Sequence, residues 1–231
     1  FDKGETPAFV IDPGFKFMES LDAIGLSIKD VHSCIITHNH PDHLGGFFEY
    51  MAARNASGKV VRAFCNHTAT EMFKCLAGTG MNIQEITDQY ADIIGNGYVS
   101  QGTDLKIRGK SFCVDHHEVG VISRAVGLVI SVKAANGREG EKSSDIVILG
   151  DTEYNHADHY DQWMPILCTH TVKLVVLHIG SAQIKEATGK HLYLNGADAI
   201  LRAMDIQLEK IQYNGKLLVL ISEWGLEHGT S

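Results

Sequence analysis

The chain has 231 residues, 44% hydrophobic and 21% charged, with a formal net charge of −8 and no apolar run long enough to span a bilayer as a helix. Such a chain is expected to be soluble and long enough to bury a core in one domain, residues 1–231, and its acidic balance disfavours a long nucleic acid as partner. Five cysteines, at 34, 65, 75, 113 and 168, are odd in number, form no CxxC pair and sit mostly in apolar stretches, which points to a reduced, cytoplasmic setting.

Phe1-Asp2-Lys3-Gly4-Glu5 reads as a strand end and a hairpin turn, so the fold is expected to lack its first strand or strands, and a signal peptide ahead of Phe1 stays open. Ala8-Phe9-Val10-Ile11 is a short apolar strand closed by the turn signal Asp12-Pro13-Gly14. Residues 17–26 have the spacing of a short helix, and Ser27 to Val31 lead into a buried strand ending at Cys34-Ile35-Ile36. Thr37-His38-Asn39-His40-Pro41-Asp42-His43-Leu44-Gly45-Gly46 follows, with three histidines and an aspartate within six positions. Imidazoles and a carboxylate together suit zinc or another borderline divalent ion. His38 and His40, two apart, can converge on one ion, while Asp42 and His43, beyond the φ-restricting Pro41, can turn toward a second. Gly45-Gly46 reads as a sharp turn that starts a helix, which places the donors on a loop at a sheet edge. That helix runs through Phe47, Phe48, Tyr50 and Met51 to a stop at Asn55-Ala56-Ser57-Gly58.

Val60 to Cys65 reads as a strand and Thr68 as a helix cap with Glu71 at capping-box spacing; His67, at that junction, is expected to be solvated. Residues 78–100, rich in Gly, Asn and Asp, read as turns with short strands. Leu105 to His116 alternates as a strand, with Phe112, Val114 and His116 on one face and His117 on the other. Ala125 to Lys133 is the next strand, residues 134–144 are a polar hairpin loop, and Asp145 to Gly150 is a strand that delivers Asp151-Thr152 at its end. The stretch 157–171 suggests a helix broken at Pro165, with His156, His159 and His170 at the surface. Val172 to Leu177 is a buried strand that ends at His178, where an imidazole can line a pocket. His191 precedes a helix from Ala197 to Met204, and Leu217 to Ile221 is the last strand, followed by Ser222-Glu223.

His38-x-His40-x-Asp42-His43, with Thr37 before it and Leu44-Gly45-Gly46 after it, resembles the signature of the metallo-β-lactamase fold superfamily. The resemblance covers nearly the whole chain, because further candidate donors fall at successive strand ends in that superfamily's order. It implies an α+β fold, a four-layer αβ/βα sandwich of two mostly antiparallel sheets face to face with helices outside. It also implies that Asp12 steadies the metal loop, that a third metal-site histidine ends the strand 105–116, and that Asp151 bridges two ions through its two oxygens. Strand parity favours His116 over His117 as that histidine, a choice that a bulge would reverse. In ribonuclease Z and its relatives a histidine just before a helix acts on the leaving group, and His191 stands at that place. One departure stands out: many members carry a metal-binding histidine after the last strand, where this chain has Glu223, a carboxylate that favours harder ions.

The implied cofactors are two divalent ions, zinc above all, with manganese or magnesium open at the second position. His38, His40 and His116 would hold one, Asp42, His43 and Glu223 the other, with Asp151 between them. Water on such ions loses a proton near neutral pH, so hydrolysis is the natural chemistry. Asp42 can also orient the attacking hydroxide, and His191 can protonate the leaving oxygen. Two adjacent cations and the His191 pattern resemble the ribonuclease Z-like, phosphodiesterase branch. Ribonuclease Z grips transfer RNA with a long arm between its third histidine and its bridging aspartate, whereas here only the loop 134–144 is free in that interval. A small phosphodiester such as a cyclic nucleotide is therefore the expected substrate. Two further readings stay open, an acyl or lactone hydrolase of the β-lactamase kind and a non-catalytic metal or ligand binder. No membrane partner is expected, and a homodimer is compatible with a sequence otherwise silent on oligomeric state.

Overall fold

The computed structural model describes residues 9–28, 31, 33–75, 81–86, 98–99, 105–114, 125–134, 142–152, 160–181 and 192–222. The first sheet comprises β1 (Val10–Ile11), β2 (Cys34–Ile36), β3 (Val61–Cys65) and β4 (Met81–Glu85), in that order and all parallel. Period-two alternation gives each strand two apolar faces. Cys34, Ile36, Val61, Ala63 and Cys65 meet Leu21 of α1 (Phe17–Ala23), Leu44, Phe47 and Tyr50 of α2 (Pro41–Ala56), and Phe73 of α3 (His67–Lys74). Ile11, Ile35 and Phe64 face the other way.

That second face packs on another sheet. Its strands are β5 (Tyr98–Val99), β6 (Leu105–Cys113), β7 (Val126–Ala134), β8 (Ser144–Ile148), β9 (Val172–Ser181) and β10 (Leu192–Tyr193) in order, with β11 (Leu218–Ser222) also paired to β9. Val126, Leu128, Ile130, Ile146 and Ile148 meet the first sheet. Val147, Leu149, Val175, Leu177 and Ile179 face outward under α4 (Tyr160–Leu167) and α5 (Leu194–Lys210), against Trp163, Leu167, Ile200 and Met204. Each fully buried side chain of this size contributes about 1.5–3 kcal/mol. The result is the expected α+β, four-layer αβ/βα sandwich. Among the described residues no helix is long and apolar enough to cross a membrane.

Several local expectations are corrected. The sheets are not mostly antiparallel: only β5–β6, β6–β7 and β7–β8 are, among the described pairings. Crossover helices α2, α3 and α4 return the chain to start the next strand in the same direction, which a hairpin cannot do. Pro165 lies inside α4 without breaking it, in the last turn, where the lost N–H costs one bond. The cap of α3 is Asn66, whose Oδ1 accepts the Ala69 N–H at 3.1 Å, so Thr68 is a helix residue. Helix α5 is longer than 197–204, because Leu201 and Leu208 extend its apolar stripe.

The correction that matters most concerns α2. It begins at Pro41, which suits the first helical position because its missing N–H has no partner to lose there. Asp42 and His43 therefore occupy the first helical turn, and Gly45-Gly46 lie inside the helix. A Cβ on Gly46 would stand 2.7 Å from the carbonyl oxygens of Pro13 and Gly14, and the Gly46 N–H donates to Pro13 O at 2.6 Å. The glycine serves close approach: it lets the turn after β1 press against the start of α2.

Candidate metal centre

Three segments meet at one end of the sandwich: the residues after β2, the first turn of α2, and the turn after β8. At the last of these Gly150 takes φ +66°, a left-handed conformation open to glycine, and Asp151 enters the interior. His38, His40 and Asp151 each offer a donor atom, and the three atoms lie within 4.8 Å of one another. His38 Nε2 is 3.8 Å and His43 Nε2 3.2 Å from Asp151 Oδ2, while His43 Nε2 is 3.8 Å from Asp42 Oδ2. Asp151 Oδ2 thus faces both His38 and His43, whose ring centroids lie 4.0 Å apart. His38, His43 and Asp151 are buried, His40 is half-buried and Asp42 is exposed, so the centre opens to solvent on the His40-Asp42 side. Two imidazoles and a carboxylate at this separation fit a divalent ion of the zinc type.

Asp12 supports this arrangement from below. Its Oδ1 accepts the Thr37 N–H at 2.7 Å, and its Oδ2 accepts the Thr37 hydroxyl at 2.6 Å and faces His43 Nδ1 at 3.1 Å. Asp12, His38 and His43 also form a close group, but the Asp12 oxygens are taken up by the loop and by His43, which makes it a support and not a donor to an ion. A proton on His43 Nδ1 leaves Nε2 facing Asp151. Thr37 Oγ1, already donating to Asp12, can accept from His38 Nδ1 at 3.1 Å, which orients His38 Nε2 in the same way. The Val126 N–H of β7 donates to Thr37 O at 3.2 Å and ties the loop to the opposite sheet.

The electrostatics follow. Burial pushes the His43 imidazole pKa down, but hydrogen bonds to Asp12 and Asp151 outweigh it and raise the pKa to about 11. Without metal, His43 is a cation held between two carboxylates. An ion binding at Nε2 must displace that proton.

The family model described as Anti-Pycsar protein Apyc1 matches residues 2–178. The chain belongs to this family. No curated protein sequence matches it. Among solved structures, it is similar to the metallo-beta-lactamase fold protein YhfI from Bacillus subtilis, with a TM-score of 0.60 at 13% identity, covering 94% of this chain and 84% of that one. Human tRNase Z, short form, gives a TM-score of 0.59 at 13% identity, covering 96% and 83%. Unliganded yeast PDE1 gives 0.60 at 9%, covering 85% of this chain and 58% of that one. Likeness at these identities is one of fold, and the fold is that of the metallo-β-lactamase superfamily.

In this Apyc1-family chain the structure brings His38, His40, Asp42, His43 and Asp151 to one place. His116, His117, His191 and Glu223 lie outside the described residues. His67 is at the surface, with Nδ1 2.8 Å from Glu85 Oε1, and His170 stacks on Tyr213. His178 lies within β9 and not at its end, and its Nδ1 is 3.5 Å from Asp151 Oδ1. The Thr37 hydroxyl belongs to no ligand pattern in the sequence; its role follows from burial at a strand end, where a hydroxyl needs partners.

Proposed function

We propose that this chain is a metal-dependent phosphodiesterase that opens a small cyclic phosphodiester of the cyclic nucleotide class. The observation that carries this reading is the arrival of His38, His40, His43 and Asp151 at one buried point with Asp42 on its solvent side. The family name, anti-Pycsar, supports it by suggesting cyclic nucleotide degradation. Divalent ions, when bound, would acidify water and offset charge on phosphoryl oxygens.

The residues divide the work. His38 and His40, with His116, would hold one ion, zinc above all; His43 and Asp42, with Glu223, would hold the second, zinc or a harder cation; Asp151 would serve both. Asp42, exposed at the mouth, orients the attacking water and accepts its proton. His191 gives a proton to the leaving ribose oxygen as the P–O bond breaks, a role that contributes about 10²- to 10⁴-fold in general acid catalysis. The charge of −8 leaves the cationic centre as the local attraction for a small anion and offers nothing to a long polyanion. Cys34, Cys65 and Cys168 as buried free thiols and Cys75 as an exposed one suit a reducing cytoplasm.

The test is elemental analysis of the purified chain with turnover of a cyclic nucleotide panel, bis-p-nitrophenyl phosphate and nitrocefin on the same preparation. Two ions per chain and ring opening that a chelator abolishes are expected. Nitrocefin hydrolysis without phosphodiester cleavage would replace the reading with an acyl hydrolase. A metal-loaded chain inert to all three would make it a binder.

A further inference from the structure

We infer that His178 is a positioning residue for the metal centre, its Nδ1 facing Asp151 Oδ1 at 3.5 Å so that Oδ2 stays aimed at His38 and His43. The inference rests on the metal-centre reading above and extends it to a residue outside the donor set.

The register carries the argument. β8 and β9 run parallel with Ile146 opposite Leu174 and Ile148 opposite Val176. Ile146 and Ile148 face the layer between the sheets, so Leu174, Val176 and, by period two, His178 face it as well. Val175, Leu177 and Ile179 point the other way, into the core under α4 and α5. β8 ends at Ile148, and the turn through Gly150 carries Asp151 into the space beyond it, beside His178. The two side chains meet because one strand stops where its neighbour continues.

The contact is specific. His178 Nδ1 lies 3.5 Å from Asp151 Oδ1, beyond the usual N–H···O range and so an electrostatic contact, while Oδ2 is the oxygen near His43 and His38. A carboxylate with equivalent surroundings can rotate and exchange its oxygens; an imidazole nitrogen facing one of them removes that equivalence. The imidazole is also rigidly mounted. His178 is only 8% exposed, its strand is paired with β8 on one side, and on the other Ser222 of β11 is its partner. Its ring lies 6.3 Å from that of His43 with 30° between the planes, so Asp151 and both imidazoles form one packed unit.

The test compares His178→Asn, which keeps a donor near the Nδ1 position, with His178→Leu, which fills similar volume without one. Metal affinity is measured by competition with a chromophoric chelator, alongside the metal-free melting temperature and turnover of bis-p-nitrophenyl phosphate. His178→Leu should weaken metal binding about 10- to 100-fold and lower kcat more than it raises KM, and His178→Asn should recover most of the affinity. Leucine binding metal as tightly as wild type, or asparagine doing no better than leucine, would overturn the inference. If leucine does not fold, His178→Ala replaces it in the same comparison. The two readings separate cleanly: a wild type that binds metal but cleaves no phosphodiester defeats the proposed function and leaves the affinity comparison standing.

Discussion

The parallel sheet brings His38, His40, Asp42 and His43 to the centre from six consecutive positions, whereas the mixed sheet brings Asp151 from the turn after β8 and His178 from within β9. On the first side the chain's own local geometry sets the donors: a buried strand end, a proline-started helix and Asp12 beneath them. On the second side strand register sets the position, with no sequence motif joining the two residues. A locally encoded half tolerates distant change but is fragile at its supports; a register-encoded half is the reverse.

The largest effect expected from breaking the local half is at Asp12. Asp12→Ala removes the partner of the Thr37 N–H, the Thr37 hydroxyl and His43 Nδ1 at once. Metal affinity should fall about 10- to 100-fold, with a loss of about 1–3 kcal/mol for each buried group left unsatisfied. Chelator competition and urea unfolding measure the two. An Asp12→Ala chain with unchanged metal affinity would mean that the loop holds itself.

Gly46→Ala probes the same half through shape. Alanine in an exposed helix interior usually stabilises by about 1 kcal/mol over glycine; here its Cβ would collide with the carbonyls of Pro13 and Gly14. A loss of about 1–3 kcal/mol is expected instead, with weaker metal binding as the first turn of α2 shifts. A gain in melting temperature would contradict the close approach.

The proton on His43 tests the junction of the two halves. Its pKa rises from 6.5 to about 11 in the metal-free fold. A raised pKa stabilises fully below 6.5, and that stability is lost as pH climbs through about 11. The metal-free chain should therefore weaken over that interval more than His43→Gln does, as followed by urea midpoints. Metal uptake near neutral pH should release this proton, seen as a buffer-dependent heat in calorimetry.

The smallest effect is a control away from the centre. Asn66→Ala removes the side-chain cap of α3 and should cost about 1 kcal/mol in thermal unfolding, with kcat unchanged.

The sequence carries the local half almost completely. His38, His40, Asp42 and His43 are written side by side, and the resemblance they support implied both the four layers and the role of Asp12. It misplaces the start of α2, because Gly45-Gly46 signals a turn while their actual use, approach by the Pro13-Gly14 backbone, involves a partner distant in sequence. The cap of α3 is missed for a simpler reason: Thr68 with Glu71 fits a capping box, yet Asn66 two residues earlier is the stronger acceptor. For the register half, His178 reads as a strand-end histidine because the apolar run stops at Leu177, although pairing with Ser222 and β10 carries the strand on to Ser181. Strand direction is likewise a property of the connecting helices, and alternation along one strand does not contain it.

The bond from Val126 N–H to Thr37 O joins the two sheets just where donors from both of them gather. Each half of the molecule is a lamination of one sheet and its own helices, and the two meet through the apolar layer of Ile35, Leu128 and Ile130. An ion gripped by His38 and Asp151 together would act as a rivet through the seam, and its occupancy would then govern how firmly the two halves close. Thermal resistance would scale with the logarithm of free metal concentration above its dissociation constant, so the supply of metal in the surroundings would govern the lifetime of the fold as well as its chemistry.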